Sequence, residues 1–460
     1  MATLDRLREI VKNHRSSVPV VAPELVDAPN AVQTPPAAVD STDYTRAALE
    51  LGGALVEHSD GAVIVVDREY RADMLHGRTP IGEIASTIND GDDAMRLMGK
   101  AWPAFAPRAT AGPASAHDVA DADQTRLLFL DLETTGLFSG AGTQAFLIGC
   151  AAIDGTSIRV RQFLLPGFEH EKALLNAMQD WAKSHGALCT YNGRTFDVPL
   201  IETRFMFHRV PCPLDGVPHL DMLHPARRMW RQRPLASGSP DPDDSSCSLS
   251  VLEKQIAGLH RVGDVPGYEI PSRFFRFVRT GDARPLEAVM EHNRLDLISL
   301  AAVLARAIVL ITRGPAAATT AQEAYGLARV YERGGEYQNA EASLLRTIEF
   351  AKRVGAEPEV HGEALRRLAW IRRRDRRPHE AADAWHQLAV LPRCAAALRR
   401  EAKEALAIHH EHRLKDLMSA RQHAIDLLAD GAANRARVQH RLDRLERKLA
   451  RDAEARLPLN

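Results

Sequence analysis

The stretch Leu127-Leu128-Phe129-Leu130-Asp131-Leu132-Glu133-Thr134-Thr135-Gly136 decides the fold class. Its apolar part, 127–132, is bounded by charge and is long enough for a buried central strand. Along a strand, residues i and i+2 point to the same face. Asp131 and Glu133 therefore project together from the end of an apolar strand. Two anions so placed repel each other, at a cost that falls when a cation sits between them. Hard oxygen ligands of this kind favour Mg²⁺ or Mn²⁺.

Working outward, 144–153 and 158–165 are strand candidates joined by the turn Asp154-Gly155, hence antiparallel neighbours. A helix is predicted over 169–184, with Leu174, Leu175, Met178 and Trp181 on one face. A short strand at 188–191, a helix at 199–208 and a strand at 219–223 follow. A Pro/Ser/Asp/Gly loop at 234–247 precedes a long apolar-periodic helix within 285–311. Upstream, 50–70 alternates around Gly52, Gly53 and Ser59-Asp60-Gly61 and predicts a β-hairpin ending in a strand at 62–66. Residues 4–14 have helical spacing, and 15–42 and 103–123 read as linkers.

The last third has no strand signal. Small residues recur there at Ala340, Ala381 and Ala420. Leu344, Trp385 and Ala424 follow four residues later, and Thr347, Leu388 and Leu427 seven later. Gly326-Leu327-Ala328 and Tyr331 precede the first alanine at tetratricopeptide spacing. The steps exceed the usual ~34 residues, so degenerate helix-hairpin repeats and a plain helical bundle both fit. The domain reading is an N-terminal helix and linker at 1–45, a small hairpin-containing region at 46–102, a linker at 103–123, an α/β domain at 124–312 and helical repeats at 316–460.

Composition bounds the class. The chain has 460 residues, 45% hydrophobic and 26% charged. That suits two or three globular domains and excludes collagen-like, mucin-like and wholly disordered chains. No unbroken apolar stretch approaches the ~18 residues of a spanning helix, and no apolar signal segment opens the chain. The five cysteines (150, 189, 212, 247 and 394) form no CxxC pair, so they read neither as a zinc site nor as a disulfide framework. A cytoplasmic protein is expected, with no membrane partner. The net charge of -1 divides into -8 over 1–123, +1 over 124–314 and +6 over 315–460. Arg366, Arg367, Arg372, Arg373, Arg374, Arg376 and Arg377 crowd one helix and its end. They fit either a phosphate track or a solvated helix with Glu partners.

Two further segments bear on the paired acids. Tyr191-Asn192-Gly193-Arg194-Thr195-Phe196-Asp197 puts an acid just after a strand, at the start of a helix. His292-Asn293-Arg294-Leu295-Asp296 puts His and Asp at i and i+4, on one helix face. Asp131, Glu133, Asp197 and Asp296, in this order, resemble the DEDD superfamily of ribonuclease-H-like 3′–5′ exonucleases over roughly 124–312. Asp221-Met222-Leu223-His224-Pro225-Ala226-Arg227-Arg228, Cys247-Ser248-Leu249 and Gly263-Asp264-Val265-Pro266-Gly267 resemble its YprB-type branch. In that branch a ribonuclease-H-like domain precedes tetratricopeptide repeats.

The resemblance implies an α/β ribonuclease-H-like mixed sheet flanked by helices, followed by an all-α, TPR-like C-terminal domain. It implies a phosphodiester hydrolase using two Mg²⁺ or Mn²⁺ ions on single-stranded DNA or RNA ends. Asp131 would bridge both ions, Glu133 and Asp296 would complete the site of the attacking water, and Asp197 would hold the second ion. Thr134, Thr135 and Gly136 lie where such proteins approach the terminal nucleotide, and Asn192 resembles a residue that contacts substrate or supports the strand. Many DEDD enzymes carry Tyr four residues before the last Asp; this chain has His292 there, which would orient or deprotonate water or simply position the helix. Asp221 reads as support for a ligand or a partner of Arg227 or Arg228, and His224, Phe274 and Phe275 as packing or loop residues. Two other functions stay open: a nucleic-acid or protein-binding scaffold with a vestigial nuclease fold, and a structure-specific endonuclease. The repeats would offer a surface to a protein partner.

Overall fold

The computed structural model describes residues 41–99, 102, 126–136, 142–231, 247–354, 358–431 and 434–454. The helix expected at 4–14, the linker at 103–123, all but the last two residues of the linker at 15–42, and nearly all of the 234–247 loop lie outside them; residues 41 and 42 are the start of a helix rather than linker.

Helix α1 (Ser41–Glu50) leads into the hairpin β1 (Ala54–His58) and β2 (Gly61–Tyr70). A two-residue-per-strand hairpin, β3 (Leu75–His76) and β4 (Thr79–Pro80), precedes α2 (Ile81–Asn89) and α3 (Asp92–Met98). The decisive strand is β5 (Arg126–Thr134), followed by β6 (Ala145–Asp154), β7 (Ser157–Leu164), α4 (Glu171–Ala182), β8 (His185–Thr190), α5 (Asp197–Phe207) and β9 (His219–Asp221). Then come α6 (Leu223–Met229), α7 (Leu249–Ile256), α8 (Ile270–Thr280) and the long α9 (Glu287–Arg313).

One seven-stranded sheet runs in the order β1-β2-β7-β6-β5-β8-β9. β5, β6 and β7 form an antiparallel meander, while β8 and β9 run parallel to β5. The strands and helices expected between 144 and 313 are all present, with ends shifted by a few residues. The hairpin at 50–70 is present too, but it does not stand apart: β2 pairs with β7 along seven residues, from Ile64–Leu164 to Tyr70–Ile158. Its apolar residues Val63, Ile64 and Val66 thereby join the core of the α/β domain.

β5 is buried on both faces, as a central strand must be. Leu128, Leu130 and Leu132 pack with α4 and α8 on one side. Leu127 and Phe129 pack against α9 on the other, together with Leu297, Ile298 and Ala301. The two-residue alternation therefore carries Asp131 and Glu133 onto the α9 side. α9 is apolar nearly all round because it is a core helix: its most apolar window is 72% buried.

Among the described residues, seven α-helices follow: α10 (Ala321–Gly334), α11 (Tyr337–Val354), α12 (Pro358–Arg374), α13 (Pro378–Ala389), α14 (Ala396–His409), α15 (Leu417–Ala429) and α16 (Arg435–Glu454). Each packs on the next, and Ala340, Ala381 and Ala420 are all buried. The core under α9 continues without a break through Leu327, Leu365 and Trp385 to Leu406 on α14. Gly326 permits the docking of α10 on α6, since a Cβ there would lie 2.2 Å from the Met229 carbonyl oxygen. The Arg306–Glu323 pair (2.6 Å) ties α9 to α10.

Candidate active site

Because β8 and β9 run parallel to β5, their C-terminal ends lie at the same edge of the sheet. β5 delivers Asp131 and Glu133 there, β8 leads into Asp197 at the first position of α5, and α9 crosses this edge with Asp296. The β5–β6 register shifts between Glu133 and Thr134, a bulge that ends regular pairing at the acids.

The four half-buried carboxylates act on one another. Burial pushes Asp131 well above the usual carboxylate range, and Asp296, Glu133 and Asp197 push it further. Glu133 is raised by burial and then by Asp296, Asp197 and Asp264. Burial raises Asp197 to about 7, with Asp221 adding to the rise and the amides of Asp197 and Leu132 opposing it. Burial also raises Asp296, against the pull of Arg261 and His292. Such a cluster is electrostatically starved of positive charge, and its all-oxygen donor set fits divalent Mg²⁺ or Mn²⁺.

A set of residues the motif reading did not assign locks these acids in place. Asn293 is fully buried and its Nδ2 donates to Asp131 Oδ2 (2.8 Å) and to the Asp131 carbonyl (3.2 Å). Gln162 Nε2 on β7 donates to Asn293 Oδ1 (2.8 Å) and to the Met290 carbonyl (2.8 Å), fixing the amide's orientation. Asn293 reaches the strand only because position 149, paired with Asp131 across β6, is glycine. A Cβ there would sit 2.1 Å from Asn293 Oδ1.

Arg261 places a cation beside Asp296. Its Nη2 donates to Asp296 Oδ1 (2.5 Å) and to Glu253 Oε2 (2.7 Å), while Nη1 lies 3.4 Å from Asp264 Oδ2. Glu253 is buried and also accepts from Ser299 Oγ, which contacts His76 Nε2 at 2.9 Å. A polar chain thus runs from the β3–β4 hairpin to Asp296. Asp264, in the Gly263–Gly267 loop that had no assigned role, sits 2.7 Å from His292 Nδ1; His292 Nε2 lies 3.7 Å from Asp296 Oδ2. Asn293 and Asp264 were within the quoted motifs, whereas Arg261, Glu253 and Gln162 carry no local signal.

The other expected site residues fall around this centre. Thr134 Oγ1 donates to the Gly136 carbonyl (2.8 Å), and Thr135 exchanges backbone and side-chain bonds with Gln144 (2.9 and 3.0 Å). Asn192 adopts a left-handed conformation (φ 65°), and its N–H donates to Asp221 Oδ1 (2.8 Å). Asp221 also accepts from the N–H groups of Arg194 (3.1 Å) and Leu223 (3.0 Å), so it clamps the turn that precedes Asp197. Phe274 is core, stacked on Phe146 at 4.2 Å, while Phe275 and His224 are exposed.

With this geometry in place, comparison with known proteins gives a consistent answer. The RNase H superfamily model matches residues 128–308. The chain is 31% identical over 331 residues to a Bacillus subtilis (strain 168) protein named "Uncharacterized protein YprB", covering 71% of this chain and 76% of that one. The chain belongs to the YprB family of the RNase H superfamily. The family match spans the sheet from β5 onward and both halves of the carboxylate cluster. Within this family frame, residues 128–308 form a nuclease-like domain.

The arginines between 366 and 377 are spent largely inside the helical region. Arg366 pairs with Glu363 (2.8 Å), Arg367 with Glu332, Arg372 with Glu341 (2.9 Å), and Arg377 with Glu341 (2.7 Å) and Glu380 (2.5 Å). Arg373 and Arg374 lie over Trp370 and Tyr337, at 5.6 and 3.3 Å from the ring centroids. Most of these arginines are thus paired with glutamates or stacked on aromatic rings.

Proposed function

We propose that the protein is a metal-dependent 3′–5′ exonuclease that hydrolyses phosphodiester bonds at single-stranded nucleic-acid ends with two Mg²⁺ or Mn²⁺ ions. The observation that carries this reading is the convergence of Asp131, Glu133, Asp197 and Asp296, from three elements, into one mutually repelling cluster. These four side chains would hold the ions. Bound there, the ions supply charge neutralisation at the scissile phosphate and an acidified water.

The chain's own groups do the rest. Asn293 holds Asp131 in register with α9, and Arg261 orients Asp296. With a proton on Nδ1 donated to Asp264, the ring of His292 is fixed and Nε2 keeps its lone pair beside Asp296. That nitrogen would accept a proton from the attacking water. Among the described residues, a Cβ at position 136 would meet only Thr143 Oγ1, at an ordinary 3.6 Å, so none of them demands glycine there. Close approach of the terminal nucleotide is the reason we assign to it, with Thr134, Thr135 and Asn192 shaping the same rim. The C-terminal helices, as degenerate TPR-like repeats, would present a surface to a protein or to the nucleic acid.

End-labelled DNA and RNA strands, incubated with Mg²⁺ or Mn²⁺ and with EDTA, test the reading. A one-nucleotide ladder that EDTA abolishes is the expected result. Internal cuts would mean an endonuclease, and binding without cleavage a scaffold. For His292, pH–rate series on wild type, His292→Ala and His292→Tyr at saturating Mn²⁺ are decisive. His292→Ala should lose ~10²–10⁴-fold, the usual span of a general base. Near-wild-type activity would leave His292 as a residue that positions α9.

A further inference from the structure

We propose that the helical region carries a second, chemically different metal site, in which His386, His410 and His423 bind one first-row transition ion of the Zn²⁺ class. The three residues come from α13, from the segment following α14, and from α15. One ligand-capable nitrogen from each lies within 4.8 Å of the other two. Their ring centroids are 5.8, 5.7 and 5.3 Å apart. Zn–N bonds of about 2.0–2.1 Å require somewhat closer nitrogens, which small side-chain rotations supply.

Three observations point to an ion rather than to packing alone. First, α14 gives way at His410–Leu414 to a π-helical turn, closed by Lys415 in the left-handed region (φ 58°). Single π-turns of this kind gather at functional sites, and this one sets His410 toward the neighbouring helices. Second, His410 is only 12% exposed, and its Nε2 has no hydrogen-bond partner among the described residues. A largely buried imidazole nitrogen without a partner is costly, and an ion would satisfy it. Third, acids flank the cluster, alongside the cation Lys403 that acts on His423. Asp416 Oδ2 lies 3.5 Å from His410 Nδ1, while Asp383 and Asp426 act on His386 and His423. A carboxylate beside one imidazole nitrogen is the usual outer support of a histidine ligand and leaves the other nitrogen for the metal.

His386 is exposed and His423 half-buried, so the site opens to solvent. An ion has an entry path, and a water can complete a tetrahedral set. Imidazoles select Zn²⁺, Cu²⁺, Ni²⁺ or Co²⁺ over Mg²⁺, so this site and the carboxylate centre would not compete for the same ion. An ion here would staple α13, α14 and α15 together.

The test uses the full-length chain, stripped with chelator and returned to Mg²⁺ buffer to fill the carboxylate centre. Titration calorimetry with Zn²⁺ and visible spectroscopy with Co²⁺ are run on wild type, His386→Ala, His423→Ala and the double variant. One equivalent should bind wild type, with the d–d absorption of four-coordinate Co²⁺ and a raised melting temperature. The variants should melt like wild type in EDTA and keep their Mg²⁺-dependent activity. They should lose more affinity than the about 10–100-fold that removing an outer support costs, along with the Co²⁺ band. Equal affinity and spectra in wild type and the double variant, or no binding to wild type, would overturn the proposal.

Discussion

Replacing Gly149 by alanine adds one methyl group to β6, and the structure says what that methyl meets. Its Cβ would lie 2.1 Å from Asn293 Oδ1 and 2.7 Å from both Cγ and Nδ2. Asn293 cannot yield cheaply, because Gln162 holds its oxygen and Asp131 its nitrogen, each at 2.8 Å. The amide must leave. Overpacking of a filled core costs about 1–3 kcal/mol, and a lost hydrogen bond to a charged group about 1.5–3 kcal/mol. We expect Gly149→Ala to destabilise the protein by about 3–5 kcal/mol in urea unfolding without metal, and to reduce catalysis because Asp131 loses its register with α9. Asn293→Ala should cost about 2–3 kcal/mol by the same hydrogen-bond reasoning; Gln162 Nε2 keeps the Met290 carbonyl at 2.8 Å and is not orphaned. The double variant separates this mechanism from general strand damage. Once Asn293 is truncated, the atoms that crowd the new methyl are gone, so Gly149→Ala should cost little more in the Asn293→Ala background. An interaction energy of at least about 1 kcal/mol in the double-mutant cycle is expected. Additive costs, or a Gly149→Ala protein as stable and active as wild type, would refute the reasoning.

Further outcomes follow from other parts of the molecule. Asp131→Asn should lower nuclease activity by ~10³-fold or more yet melt no lower than wild type in EDTA, because it removes a charge from a mutually repelling set; cleavage rates beside metal-free melts check this. His76 is pulled down to about 4 by burial, against ~6.5 in the unfolded chain. Its stabilising contribution is therefore complete above pH 6.5 and fades as pH falls toward 4, a loss of about 3 kcal/mol at 1.36 kcal/mol per pKa unit. Urea midpoints of wild type and His76→Gln between pH 7 and 4 should converge as the pH drops. Arg372→Ala, which takes the cation from a largely buried pair with Glu341, should lower the unfolding free energy by about 1–3 kcal/mol while leaving the salt dependence of nucleic-acid binding unchanged; a flattened slope in fluorescence anisotropy would return this arginine to a phosphate track.

The local chemistry of the site was legible in the chain because it obeys short periods. The i, i+2 alternation of β5 alone puts Asp131 and Glu133 on the face of Phe129. The i, i+4 spacing of α9 alone sets His292 beside Asp296, and the Asp154-Gly155 turn makes the strands on either side of it antiparallel neighbours. The family likeness added the expectation that Asp197 meets these acids, and the parallel run of β5 and β8 shows how it does. What no period encodes is a polar contact between residues far apart in sequence. Asn293 on Asp131, Arg261 between Glu253 and Asp296, and Asp264 on His292 each depend on where loops and helices land after the core has closed. The same holds for Gly149, whose necessity exists only once Asn293 lies against it. Tertiary structure also decided that the 50–70 hairpin lengthens the main sheet, because β2 found the open edge of β7. It set the C-terminal helices on α9 and α6 in a shared core, and it brought together three histidines that nothing in their sequence neighbourhoods relates. Backbone periodicity is fixed by local sterics and is readable residue by residue; the pairing of buried polar groups is fixed by the packing of the whole chain.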